Sequence, residues 1–388
     1  MDGLSAVIFV PDDTGKTGYS VPMMLKNVFG APLLAWLSET MYDSGVGRFF
    51  LVCHDRYAEA AKACMPKEAY VMTSAERGSA DRLHVFLSTA EEAETEITIV
   101  AGPAVYAPLL RKQREGTSCV CRGSRQALMA VLDEDFAFSS FLRDKCSFLT
   151  GEDGYYTVDS PAALYELSGL LKEERMLQLQ KQGVEIFDSR NCYVDPAARI
   201  EPGAQLLAGT IIRGNSMIRS EAVIGPWSVI ENSEIGEGAV INASQVTEAQ
   251  VGPQCTVGPY THLRPGAKLA RGVHMGNFTE AKNSEIGEGT CISHLSYVGD
   301  AELGRDCNLG CGTVTVNYDR VEKHKTRVGD SAFIGCNTSL VAPVTVGDGA
   351  YIGAGSVITE DVPENALALG RSRQTVKKDW ALRHKNNS

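Results

Sequence analysis

The sequence lacks any apolar run long enough to cross a membrane, so no spanning helix is expected. It also lacks a cationic n-region. The opening MDGLSAVIFVPDD carries an acid where a secretory signal needs positive charge, and its apolar stretch is short, so a cytoplasmic protein is expected. A basic excess is missing too. The formal charge is −11, the opposite of the footprint of a general nucleic-acid binder. Acidity alone speaks for solubility rather than for a partner. The 11 cysteines (53, 64, 119, 121, 146, 192, 255, 291, 307, 311 and 336) include no CxxC pair. Their scatter and odd number argue against a disulfide framework or a structural zinc site, and predict buried, reduced thiols.

What is present divides the chain. Its 388 residues leave room for two domains with separate cores, and 44% apolar with 22% charged residues is ordinary for a folded protein. Residues 1–160 read as an α/β domain. Short runs rich in β-branched and aromatic residues at 5–10 (SAVIFV), 48–53 (RFFLVC) and 97–101 (ITIVA) predict strands, with helices at 31–42 and 56–63. That alternation implies a parallel sheet. Residues 161–184 predict a linking helix, with Ser160 as N-cap, Pro161 in the first turn and Gly183 as the stop.

From 192 to 360 the pattern changes to a period of six. Val194, Ile200, Leu206, Ile212, Ile218, Ile224 and Ile230 fall at every sixth position, and glycine often follows, as in Ile224-Gly225 and Ile352-Gly353. Six fits neither helix nor simple strand alternation. It predicts an all-β left-handed parallel β-helix of hexapeptide repeats, each triangular coil made of three six-residue faces. The rhythm breaks at 313–327 (TVTVNYDRVEKHKTR), which reads as a loop thrown out from the solenoid. Residues 361–388 form a tail with Arg371, Arg373, Lys377, Lys378, Arg383 and Lys385.

Eighteen-residue coils would stack Arg264 above Lys282, each one place after an inward residue. Two stacked cations repel unless an anion lies between them, so the pair reads either as a phosphate site or as a solvated charged face. His294 and Tyr297 follow, then Asn308, then the loop with Asn317, Tyr318 and Lys323. Histidine titrates near neutrality, and in this company it is a candidate general base.

The strings LRPGAKL, GNFTEAKNSEIGEGT, HLSYVGDAELGRDCNLGCGTVTVNYD, KHKTRVGDSAFIG and LVAPVTVGDGAYIGAGSVIT cover most of 263–371. This stretch resembles the acetyltransferase domain of the bacterial bifunctional N-acetylglucosamine-1-phosphate uridyltransferase / glucosamine-1-phosphate N-acetyltransferase family. The resemblance implies acetyl transfer from acetyl-CoA to the amine of glucosamine 1-phosphate, toward UDP-N-acetylglucosamine and cell-envelope synthesis. It implies His294 as base, Glu280 as its supporting carboxylate, and Arg264, Lys282, Tyr297, Asn308 and Lys323 as contacts of the amino-sugar phosphate. Asn317, Tyr318, Ala354 and Arg371 fall at acetyl-CoA positions. Cys311 and Cys336 stand there too, where the family often has alanine and serine; they read as small-residue substitutions, the alternative being a thiol that trades acetyl groups. The resemblance further implies a homotrimer with sites between subunits.

The same family carries a nucleotidyltransferase domain in front. Here its motifs are degenerate. The family's Gly-x-Gly-Thr-Arg loop followed by Pro-Lys is replaced by PDDTGKTGYSVPMM, with Met23 after Pro22 and no arginine. Its Gly-Asp-x-Pro is Gly102-Pro103-Ala104-Val105, leaving Asp159 without the second carboxylate of a Mg²⁺ site. Uridyl transfer is expected to be lost, with Mg²⁺ needed only if it survives. Thr14-Gly15-Lys16-Thr17 imitates the end of a P-loop, but Val10 stands where that motif needs glycine. The competing readings are a bifunctional enzyme and a non-catalytic trimeric scaffold. The zinc carbonic anhydrase on the same solenoid needs a histidine spacing that His262, His274 and His294 do not give, and no metal ligand is assigned.

Overall fold

The computed structural model describes residues 4–76, 78–90, 96–106, 119–132, 150–151 and 155–385. Cys146 lies outside them. The chain forms two units, Met1–Arg175 and Met176–Ser388.

In the first unit a sheet runs in the order Tyr70–Ser74, Val46–Cys53, Leu4–Val10, Glu96–Val100, Val120–Ser124, Thr150–Gly151. The first four strands are parallel, as the alternating strands and helices predict. Val120–Ser124 runs antiparallel to Glu96–Val100, and Thr150–Gly151 antiparallel to Val120–Ser124, completing a mixed sheet. The central strand explains its own continuous apolar run. Ala6, Ile8 and Val10 feed one core with Leu34, Leu37 and Met41 of the helix Leu33–Asp43. Val7 points the other way, to Leu83, Phe86 and Leu87 of the helix Ser79–Ser88. A strand covered by helices on both faces has no reason to alternate with polar residues. The helix expected from residue 31 begins at Leu33, because Ala31 and Pro32 pair with Val28 and Asn27 in a small hairpin.

The helix Pro161–Lys181 opens with the Ser160 hydroxyl accepting from the Ala163 amide at 3.2 Å. Gly183, just past its end, has φ +92°, a conformation glycine adopts without steric cost.

The second unit is the parallel β-helix. Its short strands stack into three parallel sheets of eleven, ten and nine strands, from Glu185–Ile186 to Leu367–Ala368. The six-residue aliphatics point inward: Ile212, Ile230, Val246, Leu263, Ala281 and Val298 form one such row, all fully buried. Rungs are not uniform. Leu206 pairs with Ile224, Ile224 with Ile241, Ile241 with Val257 and Val257 with Met275, steps of 18, 17, 16 and 18. The predicted loop is narrower than 313–327. Val314–Val316 and Thr326–Val328 are strands of the solenoid, and only the residues between them leave it.

Candidate functional site

Arg264 and Lys282 do lie on consecutive rungs, since His262 pairs with Glu280 and Leu263 with Ala281. Their environments differ. The Arg264 guanidinium donates to Glu280 Oε1 at 2.7 Å, and this contact raises the arginine's pKa further. Lys282 makes no ion pair among the described residues. One rung on, Lys282 faces Gly299, and a Cβ at Gly299 would lie 2.3 Å from the Tyr297 hydroxyl. The missing side chain is what lets the tyrosine ring lie beside the lysine. Two cations and a phenol hydroxyl therefore share one outer face.

His294 ends the strand Cys291–His294, and Asn277 stands opposite it on the rung below. The exposed His294 Nδ1–H donates to the Asn277 side-chain oxygen at 2.7 Å. In the neutral imidazole with Nδ1 carrying the proton, Nε2 keeps its lone pair as an acceptor. Glu280, expected to support His294, pairs instead with Arg264, because it belongs to the strand around the corner, opposite Tyr297. Asn277 is the residue missed by the sequence reading. It lies seventeen positions before His294, so stacking at eighteen passes over it.

The remaining candidates occupy two neighbouring regions. Counting two residues on from the pairs Ile292–Leu309, Leu309–Ile334 and Ile334–Ile352 sets His294, Cys311, Cys336 and Ala354 in one column. Arg371 passes the end of it, its Cδ 3.7 Å from where a Cβ on Gly355 would sit. Cys311 is half-buried and Cys336 exposed, an exception to the expectation of buried thiols. Asn308 is exposed and pairs with Cys291, at the far end of the strand from His294.

The loop is a closed hairpin. Asn317 donates to Asp300, which also accepts from Asn283. Tyr318 bridges to Lys323, and its hydroxyl donates to the Arg320 carbonyl at 2.7 Å. Asp319 accepts from the Glu322 and Val321 amides and from His324, which hold its carboxyl far below the usual range. The Asp300 amide donates to the Lys282 carbonyl, so the hairpin's anchor sits directly beside the cationic face.

In the first unit, Met23 is buried against Val28, Leu33, Val105, Tyr156 and Val158. Its amide donates to Asp13 at 3.0 Å. Thr14–Thr17 is one helical turn, and Arg56 is engaged by Asp12. Among the described residues no three His, Cys, Asp or Glu side chains converge as metal ligands, and Asp159 accepts from Ser160. Nor is any described helix long and apolar enough to cross a membrane.

The bacterial transferase hexapeptide (six repeats) family model matches residues 325–360. The bifunctional protein GlmU of Caldicellulosiruptor saccharolyticus is 58% identical over 117 residues, covering 30% of this chain and 25% of that protein. GlmU of Brevibacillus brevis is 60% identical over 116 residues, with the same coverage. Over that stretch this chain is similar to the bifunctional GlmU proteins. The match spans about a quarter of the length of these curated GlmU relatives. Among solved structures, the inositol-1-phosphate CTP transferase from T. maritima aligns with 45% of this chain and 98% of its own, at 13% identity and a TM-score of 0.32. The UDP-N-acetylglucosamine acyltransferase from Campylobacter jejuni aligns with 50% of this chain and 82% of its own, at 22% identity and a TM-score of 0.20. At such scores these two carry no argument. The hexapeptide model falls within the solenoid, whose three stacked parallel sheets are the fold that such repeats build.

Proposed function

We propose that this protein transfers the acetyl group of acetyl-CoA to the amine of glucosamine 1-phosphate. The observation that carries this reading is the hydrogen bond from His294 Nδ1 to Asn277, which leaves Nε2 as a base one corner away from the Arg264–Lys282–Tyr297 face. On this reading the sugar phosphate lies against Arg264 and Lys282, with Tyr297, Asn308 and Lys323 as further contacts. The donor extends along Cys311, Cys336 and Ala354, with Arg371 on its phosphates and Asn317 and Tyr318 near the acetyl group.

The acceptor amine is protonated at neutral pH and cannot attack a thioester in that state. Nε2 of His294 takes that proton and frees the lone pair. The neutral nitrogen then attacks the carbonyl carbon, and the tetrahedral intermediate collapses with breakage of the C–S bond. The nitrogen's second proton passes to the departing sulfur, so that CoA leaves as the thiol, and the imidazolium returns its proton to solvent. Holding both partners in register supplies much of the acceleration, and general-base help adds ~10²–10⁴-fold. Glu280 acts on this scheme through Arg264, by orienting the guanidinium, rather than through the base.

A homotrimer with sites between subunits is part of the proposal. It is supported by the apolar ridge of Trp227, Tyr260, Phe278 and Leu295, exposed at 70%, 62%, 55% and 58%. The Tyr260 and Phe278 rings stack at 5.4 Å along it, a surface that favours burial against another copy. Loss of uridyl transfer is also proposed, because Met23 occupies an apolar core where a phosphate-binding cation is needed.

The deciding assay measures acetylated product by mass spectrometry over a panel of amino-sugar phosphates, beside pyrophosphate release from UTP. Glucosamine 1-phosphate is expected to be acetylated, with His294→Ala reduced at least a hundredfold and no UTP turnover. Wild-type-like turnover by His294→Ala would remove the base from the scheme. Absence of acetylation with a well-folded protein would sink the reading and leave a trimeric scaffold in its place.

A further inference from the structure

Cys311 and Cys336 occupy equivalent turn positions on consecutive rungs. Leu309 pairs with Ile334 two residues earlier, the Gly310 amide donates to the Ile334 carbonyl at 2.7 Å, and the Asn337 amide donates to the Cys311 carbonyl at 2.7 Å. The register is held on both sides of the two cysteines. Consecutive rungs are ~4.8 Å apart, inside the ~4.4–6.8 Å range of Cα separations that a disulfide spans. The intervening hairpin puts the two residues far apart in sequence, so only the coiling brings them together.

Their surroundings differ from those of the buried thiols. Burial pushes the Cys53, Cys64, Cys255 and Cys307 thiols up, away from the reactive thiolate form. Cys336 is exposed and Cys311 partly so, and the His294 imidazole lies one rung below Cys311 in the same column. An accessible thiol beside a histidine and a second thiol is the environment in which thiol–disulfide exchange proceeds.

We propose that Cys311 and Cys336 are a redox-active dithiol that closes to an intramolecular disulfide by exchange with a small disulfide such as oxidised glutathione. In the first step one thiolate attacks the glutathione disulfide, forming a mixed disulfide and releasing one glutathione thiolate. In the second the neighbouring thiolate attacks the protein sulfur, releasing the second glutathione. Two protein thiols are oxidised, one glutathione disulfide is reduced to two thiols, and the two protons lost by the protein thiols are taken up by the two glutathione thiolates. Resting on the acetyl-donor site proposed above, closure ties two rungs of that column together and weakens acetyl-CoA binding.

The full chain is incubated with oxidised glutathione, capped with an alkylating reagent and digested without reduction. A linked Cys311–Cys336 peptide, dispersed again by dithiothreitol, is expected. In Cys311→Ser and Cys336→Ser the link is lost and the remaining cysteine carries a glutathione adduct. Separate glutathione adducts on both cysteines of the wild type, or two unreacted thiols, would overturn the dithiol. Calorimetry with acetyl-CoA compares each protein's oxidised and reduced forms. Weaker binding by the linked wild type, restored by dithiothreitol, supports the coupling, and equal binding in its two forms overturns it. A reduced protein that binds no acetyl-CoA rejects the donor site and with it the coupling, while the linked peptide still decides the dithiol.

Discussion

Replacing Asn277 by alanine tests whether the amide sets the tautomer of His294. The bond is 2.7 Å long and joins neutral groups at an exposed position. A neutral hydrogen bond contributes a net ~0.5–1.5 kcal/mol, and ~1.4 kcal/mol corresponds to tenfold in rate. Asn277→Ala should therefore lower kcat about three- to tenfold, well short of the ~10²–10⁴-fold attached to a general base itself. The KM for the sugar phosphate should hardly move, because Asn277 is not on the cationic face.

Asn277→Asp sharpens the test. A carboxylate against the ring stabilises the imidazolium, so the acid limb of the pH–kcat profile should move to higher pH. Activity at neutral pH falls and returns under alkaline conditions. The assay is steady-state acetyl transfer followed from acid to alkaline pH for wild type and both variants. An unchanged kcat in Asn277→Ala, or an acid limb that stays put in Asn277→Asp, would refute Asn277 as the positioning residue.

Glu280→Gln separates two roles for that carboxylate. If it orients Arg264, as the 2.7 Å contact indicates, the guanidinium loses that hold and KM for the sugar phosphate rises with kcat nearly constant. A carboxylate supporting the base would instead lower kcat. The pair is about one-third exposed on both sides, so the thermal midpoint should shift little, in line with ~0–1 kcal/mol for surface ion pairs. Asp319 supplies a pH signature: the Glu322 amide, His324 and the Val321 amide hold its carboxyl below its ordinary value of 3.8. Its depressed folded-state pKa means that its contribution is present above 3.8 and lost as pH falls through the lower folded value. Amide exchange in the hairpin should accelerate only under strongly acid conditions, and Asp319→Ala should speed tryptic cleavage at Lys323 at neutral pH. Met23→Lys would put an ammonium at a position 3% exposed, among apolar side chains. It should destabilise the first unit by several kcal/mol and confer no UTP turnover; a stable variant that turns over UTP would refute the core role of Met23.

The interior of the solenoid is legible because one requirement dominates it. Each face must bury an aliphatic at about every sixth residue, as Ile212, Ile218, Ile224 and Ile230 do, and that requirement writes a period into the sequence. The site is legible only in part. Arg264 and Lys282 lie on a full-length rung, so stacking at eighteen finds them. Asn277 and His294 lie on a shorter rung, and nothing in composition marks which rungs are short. Glu280 contacts Arg264 for a related reason: nearness to His294 in the fold depends on which side of a corner each residue falls. In the first unit the central strand is plain from its unbroken apolar run. The strand Val120–Ser124 (VCRGS) is not, since it carries few strand-forming residues and owes its place to pairing with Glu96–Val100.

The short rungs have a physical origin that bears on the site. On the rung holding Lys282 the inward residues Ala281 and Ile286 are five apart rather than six, and on the next so are Val298 and Leu303. Each shortened corner turns through a non-glycine residue at positive φ: Asn283 at 46° and Asp300 at 48°. Asparagine and aspartate tolerate that conformation better than most residues. Their side chains then stack from rung to rung, Asn283 donating to Asp300 and Asn317 donating to the other oxygen of the same carboxylate. The hairpin bearing Lys323 leaves the solenoid at this corner one rung later, between Val314–Val316 and Thr326–Val328. The slip in the rhythm and the anchoring of the hairpin are thus one event. The tight corners here turn through left-handed Asn283 and Asp300, and those side chains tie the loop beside Lys282. Restoring a six-residue corner would mend the repeat and remove the anchor.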